Sequence, residues 1–325
     1  MRPRRIHRPR KRSHSLLWIV FGLFGAGLLA LLWDRREPGG DRDAEPEPHP
    51  APEPEPVYPE AAPPESVPVW IAGPAGNLYL RDGGATGTLP ILFLHSLGGN
   101  GGQWALQLDH LRRRRRAVAL DFRGHGDSDP AENGAYAIPD LVGDVEAAVD
   151  QLGLRHFVLA GHSLGAAVAI EYAGKHPGRV SALLLADPNG DPTLIPREQI
   201  DPFLAAVRED PLGEVGSYFR QLVAGGDRDA GRWVLEDLQL THEAALTAAL
   251  TGAMEHSPLP ALARYKGPTL AILSDMNSLP YSLHRQVPGL ATRLMHGTGH
   301  WLMMDRPEIF NHLLDEFLDA VEGTA

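Results

Sequence analysis

Apolar residues are distributed along this chain in three regimes. Leu16–Trp33 is an unbroken run of 18 uncharged residues, nearly all apolar or glycine. Glu37–Pro68 is the opposite, a stretch of prolines and acids with little to bury. From Val67 onward, short apolar runs alternate with segments of helical period. Ile91–His95, Ala117–Asp121, Phe157–Ala160, Val180–Ala186, Thr269–Leu273 and Thr292–Met295 predict buried strands, because continuous apolar runs suit strands covered on both faces. Trp104–Arg113, Pro139–Leu152, Leu164–Lys175 and Pro307–Val321 have the spacing of helices. Val67–Ala72 and Asn77–Arg81 predict edge strands joined by a glycine turn. This alternation predicts an α/β fold, a mostly parallel sheet with helices on both faces. Residues 190–262 carry helical pattern alone. They predict a helical cap inserted before the penultimate strand, over the carboxyl edge where such sheets place ligands.

Charge divides the chain along the same lines. Residues 1–36 hold nine Lys or Arg against one acid, and residues 37–66 nine acids against one arginine. Residues 67–325 hold 31 acids against 20 bases, a balance that argues against nucleic acid as a partner. Residues 1–14 read as a basic cytoplasmic tail and 15–33 as a transmembrane signal anchor. At about 1.5 Å per residue the apolar run reaches roughly 27 Å, enough for a bilayer core. The exit Leu31-Leu32-Trp33-Asp34-Arg35-Arg36 lacks the small residues of a cleavage site, which favours an anchor over a cleaved signal. Positive charge before the span puts the N-terminus in the cytoplasm and the rest outside the cytoplasmic membrane. Residues 34–66 form a Pro/Glu-rich linker, stiffened toward polyproline II. Residues 67–325 then form one large domain.

The chemistry centres on Gly161-His162-Ser163-Leu164-Gly165, a G-x-S-x-G elbow between a predicted strand and a predicted helix. Side chains at Gly161 and Gly165 would collide with the neighbouring strand and helix, so glycines allow the turn that exposes the Ser163 hydroxyl. A nucleophilic serine needs a base, a group to orient that base, and donors for an oxyanion. His300, in a glycine loop after a late strand, is the candidate base. The backbone N–H groups of Leu164 and Leu97 are the candidate oxyanion donors, the first at a helix N-terminus and the second in the loop after Ile91–His95. Two aspartates compete to orient His300: Asp187, after Val180–Ala186, and Asp275, after Thr269–Leu273.

Residues 67 to the C-terminus resemble the α/β-hydrolase fold superfamily. The resemblance rests on His95-Ser96-Leu97-Gly98-Gly99, Asp121-Phe122-Arg123-Gly124-His125-Gly126-Asp127-Ser128, the elbow itself, and Gly299-His300 followed by Asp305–Asn311. It implies a serine, acid, histidine order, which this chain matches. There are two departures. Ser96 stands where the family usually has glycine. After the penultimate strand, where Gly-x-x-Asp is usual, Ser274 replaces the glycine and Asn277 the acid. An amide cannot stabilise an imidazolium as a carboxylate does. Some members carry the acid one strand earlier, so Asp187 is favoured and Asp275 is the alternative.

The resemblance implies a serine hydrolase that cleaves a small-molecule carboxylic ester, thioester or lactone through an acyl-enzyme. Serine at position 163 sets the chain apart from relatives that use aspartate, such as haloalkane dehalogenases and epoxide hydrolases. No cofactor and no metal are expected: His95, His125 and His162 lack ligand spacing and read as loop hydrogen-bonding residues. Two alternatives remain, a catalytically silent binding domain, motivated by Asn277, and a perhydrolase or acyltransferase using the same residues. The five arginines Arg112–Arg116 read as a solvated turn at a helix end. Among Phe203, Tyr218, Phe219, Leu222, Trp233 and Leu240, most are expected in the cap core and about two against substrate.

Overall fold

The computed structural model describes residues 67–323. The basic tail, the transmembrane anchor and the linker predicted from the sequence lie outside the described residues.

The strands are β1 (Val67–Gly73), β2 (Gly76–Gly84), β3 (Ile91–Leu94), β4 (Arg116–Leu120), β5 (Phe157–His162), β6 (Val180–Ala186), β7 (Thr269–Ser274) and β8 (Ala291–Met295). They form one sheet in the order β1-β2-β4-β3-β5-β6-β7-β8. β2 runs antiparallel to both β1 and β4, and the pairs from β4 through β8 are parallel. β3 and β5 are buried at every position, as their unbroken apolar sequences require. The chain steps from β3 outward to β4 and then crosses back to β5 on the other side of β3. The carboxyl ends of β3 and β5 therefore flank the switch in strand order, where a crevice opens.

The helices are α1 (Ala105–Leu111), α2 (Ile138–Gln151), α3 (Leu164–Lys175), α4 (Arg197–Glu209), α5 (Pro211–Leu222), α6 (Arg228–Leu240), α7 (Glu243–Met254), α8 (Leu259–Arg264), α9 (Leu283–Gln286), α10 (Leu302–Asp305) and α11 (Pro307–Gly323). A 3-10 turn, Gly101–Trp104, leads into α1. α3 packs against α2 and α8, while α1 packs against α11, so both faces of the sheet are covered. The insertion between β6 and β7 is helical throughout its regular structure. Its helices start where the sequence supplies caps: Asp210 Oδ1 accepts from Gly213 N, and Asp227 Oδ1 from Asp229 N and Ala230 N. Among the described residues no helix is long and apolar enough to cross a membrane.

Two expectations are corrected. β2 is an interior strand, not an edge, because β4 pairs with its outer side. Leu78 and Leu80 lie on one face and Tyr79 and Arg81 on the other, and the charges of Arg81 and Asp82 are each matched by a neighbour. Arg81 Nη1 lies 2.7 Å from Asp121 Oδ1, and Asp82 Oδ2 lies 2.6 Å from Arg116 Nη2.

The arginine run is likewise not a solvated turn. Arg112 and Arg115 are buried, and only Arg113 and Arg114 are exposed. Arg112 Nη2 donates to Arg81 O at 2.9 Å, and its Nε to Ala117 O at 3.3 Å. Arg115 Nη1 donates to Leu89 O at 3.0 Å and to Glu322 Oε1 at 2.7 Å. The helix ends at Leu111, and the two guanidinium groups fold back to donate to the backbone carbonyls of Arg81, Ala117 and Leu89. Arg112→Ala should therefore cost about 2 kcal/mol of stability, against less than about 0.5 kcal/mol for Arg113→Ala. Urea unfolding of the two variants measures the difference.

Candidate active site

Backbone strain marks two positions. Among the described residues, the non-glycine residues at positive φ are Ser163 (φ 53°) and Asp187 (φ 39°). Each directly follows a central parallel strand, β5 and β6 respectively. Strain of this kind persists only where the surroundings impose it. At Ser163 the cause is steric. A Cβ at Gly161 would lie 2.3 Å from Gly165 O, and one at Gly165 would lie 2.5 Å from Leu94 O. The first turn of α3 is thus pressed between β5 and the end of β3. Ser163 N donates to Ala186 O at 3.1 Å, which ties the turn to β6.

Asp187 is 2% exposed, and its carboxylate accepts four hydrogen bonds. Ser274 N and Asn277 Nδ2 donate to Oδ1 at 2.8 and 3.0 Å, and Ser274 Oγ donates to Oδ2 at 2.8 Å. His300 Nδ1 lies 2.7 Å from Oδ2. Since the carboxylate accepts, the His300 proton sits on Nδ1 and Nε2 is left with its lone pair. Asn277 Nδ2 also donates to Pro188 O at 2.9 Å, which braces the strained backbone beside Asp187. Both departures from the familiar pattern after β7 therefore contact the carboxylate that follows β6.

Asp275 lies elsewhere. Its side chain is about half exposed, and it accepts from His296 Nδ1 at 2.8 Å and Gly297 N at 3.0 Å. The Gly297 N–H, followed by the His296 imidazole, holds its carboxyl below the usual range. It pins the base of the loop that carries His300 but does not touch the imidazole of that residue.

The backbone of His300 is held on both sides. Its N–H donates to Leu222 O, at the end of α5, at 2.9 Å. Its carbonyl accepts from His162 Nε2 at 2.8 Å. His162 is fully buried, and burial drives its pKa well below the ordinary value, so it donates as a neutral ring. Asp305 adds a second strap, accepting from Gly299 N at 2.7 Å and Asp227 N at 2.9 Å.

The loop after β3 completes the arrangement. Leu97 and Leu164 line the same cavity as Ser163 and His300. The backbone N–H groups of both leucines have no acceptor among the described residues. The Ser96 hydroxyl does not enter the cavity as a free donor. It bonds Gln103 Oε1 and Leu97 O, both at 3.3 Å. Gln103 is a buried junction: Oε1 also accepts from Trp301 Nε1 at 3.2 Å, and Nε2 donates to Asp237 Oδ2 of α6 at 3.1 Å. Burial raises the Asp237 carboxyl, while hydrogen bonds from Gln103 and Asn100 oppose the shift.

His95, at the root of this loop, accepts from Phe122 N at Nε2 (3.0 Å), which places its proton on Nδ1, 2.7 Å from Ser96 O. Beneath it, His125 Nδ1 lies 3.0 Å from Arg123 O. As expected, His95, His125 and His162 are hydrogen-bonding residues. Among the described residues no group of three or more His, Asp or Glu is gathered to hold a metal ion.

Of the six apolar cap residues singled out in the sequence, Tyr218, Phe219 and Leu222 line the cavity beside Ser163, and Phe203 is buried within the cap. Trp233 and Leu240 are exposed, 55% and 79%, because α6 turns Val234 and Leu238 inward instead. Ser274, Asn277, Gln103 and Asp237 were not assigned these contacts from the sequence. Each meets its partner across 87 residues or more, and no local pattern signals such a contact.

A family model described as alpha/beta hydrolase fold matches residues 90–213. The chain has the α/β-hydrolase fold. Solved structures agree. An esterase from Thermogutta terrifontis aligns with a TM-score of 0.66 at 24% identity, over 79% of this chain and 99% of that one. A bromoperoxidase from Bacillus anthracis aligns with a TM-score of 0.70 at 21% identity, over 78% of this chain and all of the other. At such identities the likeness is one of fold. By sequence, the chain is 28% identical over 252 residues to the dihydrolipoyllysine-residue acetyltransferase component of the acetoin cleaving system of Cupriavidus necator. That match covers 74% of this chain and 66% of the relative, so the chain spans about two thirds of the relative's length.

Burial holds the pKa of His95 at about 4 and that of His125 at about 3. An unfolded chain protonates each imidazole near about 6.5. Between about 6.5 and about 4 the unfolded state therefore binds more protons, and stability is lost as the pH falls through that window. Urea unfolding at about pH 7 and about pH 5 should show the midpoint dropping, with a shallower drop for His125→Gln; a flat profile contradicts the account.

Proposed function

We propose that the protein is a serine hydrolase that cleaves a carboxylic ester or lactone through an acyl-enzyme. The observation that carries this reading is the Asp187–His300 pair, 2.7 Å apart, with His300 bordering the same cavity as the strained Ser163. Ser163 is the nucleophile, His300 the general base, and Asp187 the group that orients His300 and stabilises its protonated form. The N–H groups of Leu97 and Leu164 receive the oxyanion. Leu164 adds the favourable field of the N-terminus of α3. The strain at Ser163 and the bracing of the His300 backbone by Leu222 and His162 support preorganisation. Asn277, the residue that motivated a silent binding domain, hydrogen-bonds the carboxylate instead of leaving the histidine without one.

The domain from 67 to 325, with its helical insertion as a cap, is the catalytic unit of this proposal. Residues 15–33 anchor it in the cytoplasmic membrane with the N-terminus inside, and residues 34–66 hold it outside. The support is the 18-residue uncharged run, the basic flank before it and the proline-rich stretch after it.

A fluorophosphonate probe should label the folded protein and leave Ser163→Ala unlabelled. Equal labelling of the two would sink the assignment. With para-nitrophenyl esters, Asp187→Asn should lower kcat by roughly 1,000-fold or more, because the amide favours the wrong imidazole tautomer. Asp275→Asn should stay within about threefold of wild type. The reverse ranking would move the orienting role to Asp275.

A further inference from the structure

We propose that two cavities meeting at His300 divide the ester between them, with the acyl part beside Ser163 and the alcohol part beside Asp187, and that both parts must be uncharged. The inference rests on the hydrolase reading and narrows its substrate class.

The first cavity is bounded by Ser163, Leu97 and Leu164 together with Phe219, Leu250 and Trp301. The second touches His300 but none of Ser163, Leu97 or Leu164, and is bounded by Asn189, Ile195, Leu279 and Ser282. Leu222, Ala253, Met254, Asn189 and His300 form the wall common to both.

Tetrahedral geometry assigns the arms. Ser163 Oγ passes its proton to His300 Nε2 and bonds the carbonyl carbon, and the carbonyl oxygen turns toward the Leu97 and Leu164 N–H groups. Two substituents remain. The alcohol oxygen must take its proton from His300 as its bond to carbon breaks, so it lies on the His300 side and its substituent extends into the second cavity. The acyl chain stays with the oxyanion donors in the first. Water then enters where the alcohol left. It gives a proton to His300 and its oxygen to the carbon, and the acid departs as Ser163 recovers its proton.

Charge sets the class. Neither cavity has a lysine or arginine in its wall, and the ionisable side chains facing them are Asp187, His300 and the tyrosines Tyr218 and Tyr281. A carboxylate on either arm would lose water and gain no counter-charge, and on the alcohol arm it would also face Asp187. Apart from Ser96, Asn189 and the reacting residues, the acyl cavity is walled by hydrocarbon and aromatic side chains, which suits a short apolar acyl group. Asn277 and Ser282, which border only the second cavity, suit a neutral alcohol that retains polar atoms.

The test compares matched esters on the full-length protein, with active sites counted by fluorophosphonate titration. On the acyl side, mono-para-nitrophenyl glutarate is set against its methyl ester. On the alcohol side, para-carboxyphenyl butyrate is set against its methyl ester. Each carboxylate should lower kcat/KM by roughly 100-fold or more. Values within about threefold of the neutral partner overturn the class. Two variants test the division. Leu250→Phe should depress butyrate relative to acetate by about tenfold and leave the alcohol series unmoved, and Ile195→Phe should do the reverse. A crossed result overturns the assignment of arms. Absence of probe labelling overturns the hydrolase reading itself, whereas labelling with a flat ester panel overturns only the inference made here.

Discussion

The buried Asp187 carboxylate is the contact on which the site depends. It joins the ends of three successive parallel strands: it follows β6, takes its donors from the end of β7 and the turn after it, and meets His300 beyond β8. A buried carboxylate without partners would be costly, and four donors remove that cost. The donors in turn fix its direction, so the imidazole has one orientation to adopt. Parallel pairing is the deeper cause, because it brings every loop that follows a strand to the same edge of the sheet.

The cap is part of this arrangement and not a cover laid over it. Leu222, at its α5 terminus, accepts the His300 N–H. Asp305 spans Gly299 and Asp227, and Asp237 reaches Gln103. Gln103 connects Asp237 to Ser96 and Trp301, so the loop after β3, the loop of His300 and the cap share one buried amide. Its three bonds account for the Ser96 departure: the added hydroxyl is consumed within the loop.

Features with a local cause were legible in the chain. The predicted β6 (Val180–Ala186) and α3 (Leu164–Lys175) have the bounds found in the structure, because an unbroken apolar run and a strand-turn-helix with glycine on each side of Ser163 leave little choice. Features with a distant cause were not. β2 alternates like an edge strand, yet Arg116 from β4 pairs with its Asp82, and Asp121 from the loop after β4 pairs with its Arg81. The arginine run looks solvated, yet two of its members are buried and fold back onto backbone carbonyls. Trp233 and Leu240 look like pocket or core residues, yet α6 is rotated so that its neighbours point inward.

Sequence alone determined the elements, their alternation, the elbow at Ser163 and a short set of candidates around it, because periodicity and the steric needs of a tight turn act within a few residues. Tertiary structure decided which carboxylate meets His300, separated as it is from Asp187 by 113 positions, and what Ser274 and Asn277 are for. Those two residues depart from a local pattern that presumes an acid after β7. Only pairing β6 beside β7 shows that they bond the carboxylate that follows the neighbouring strand, since hydrogen bonds depend on proximity in space and not along the chain.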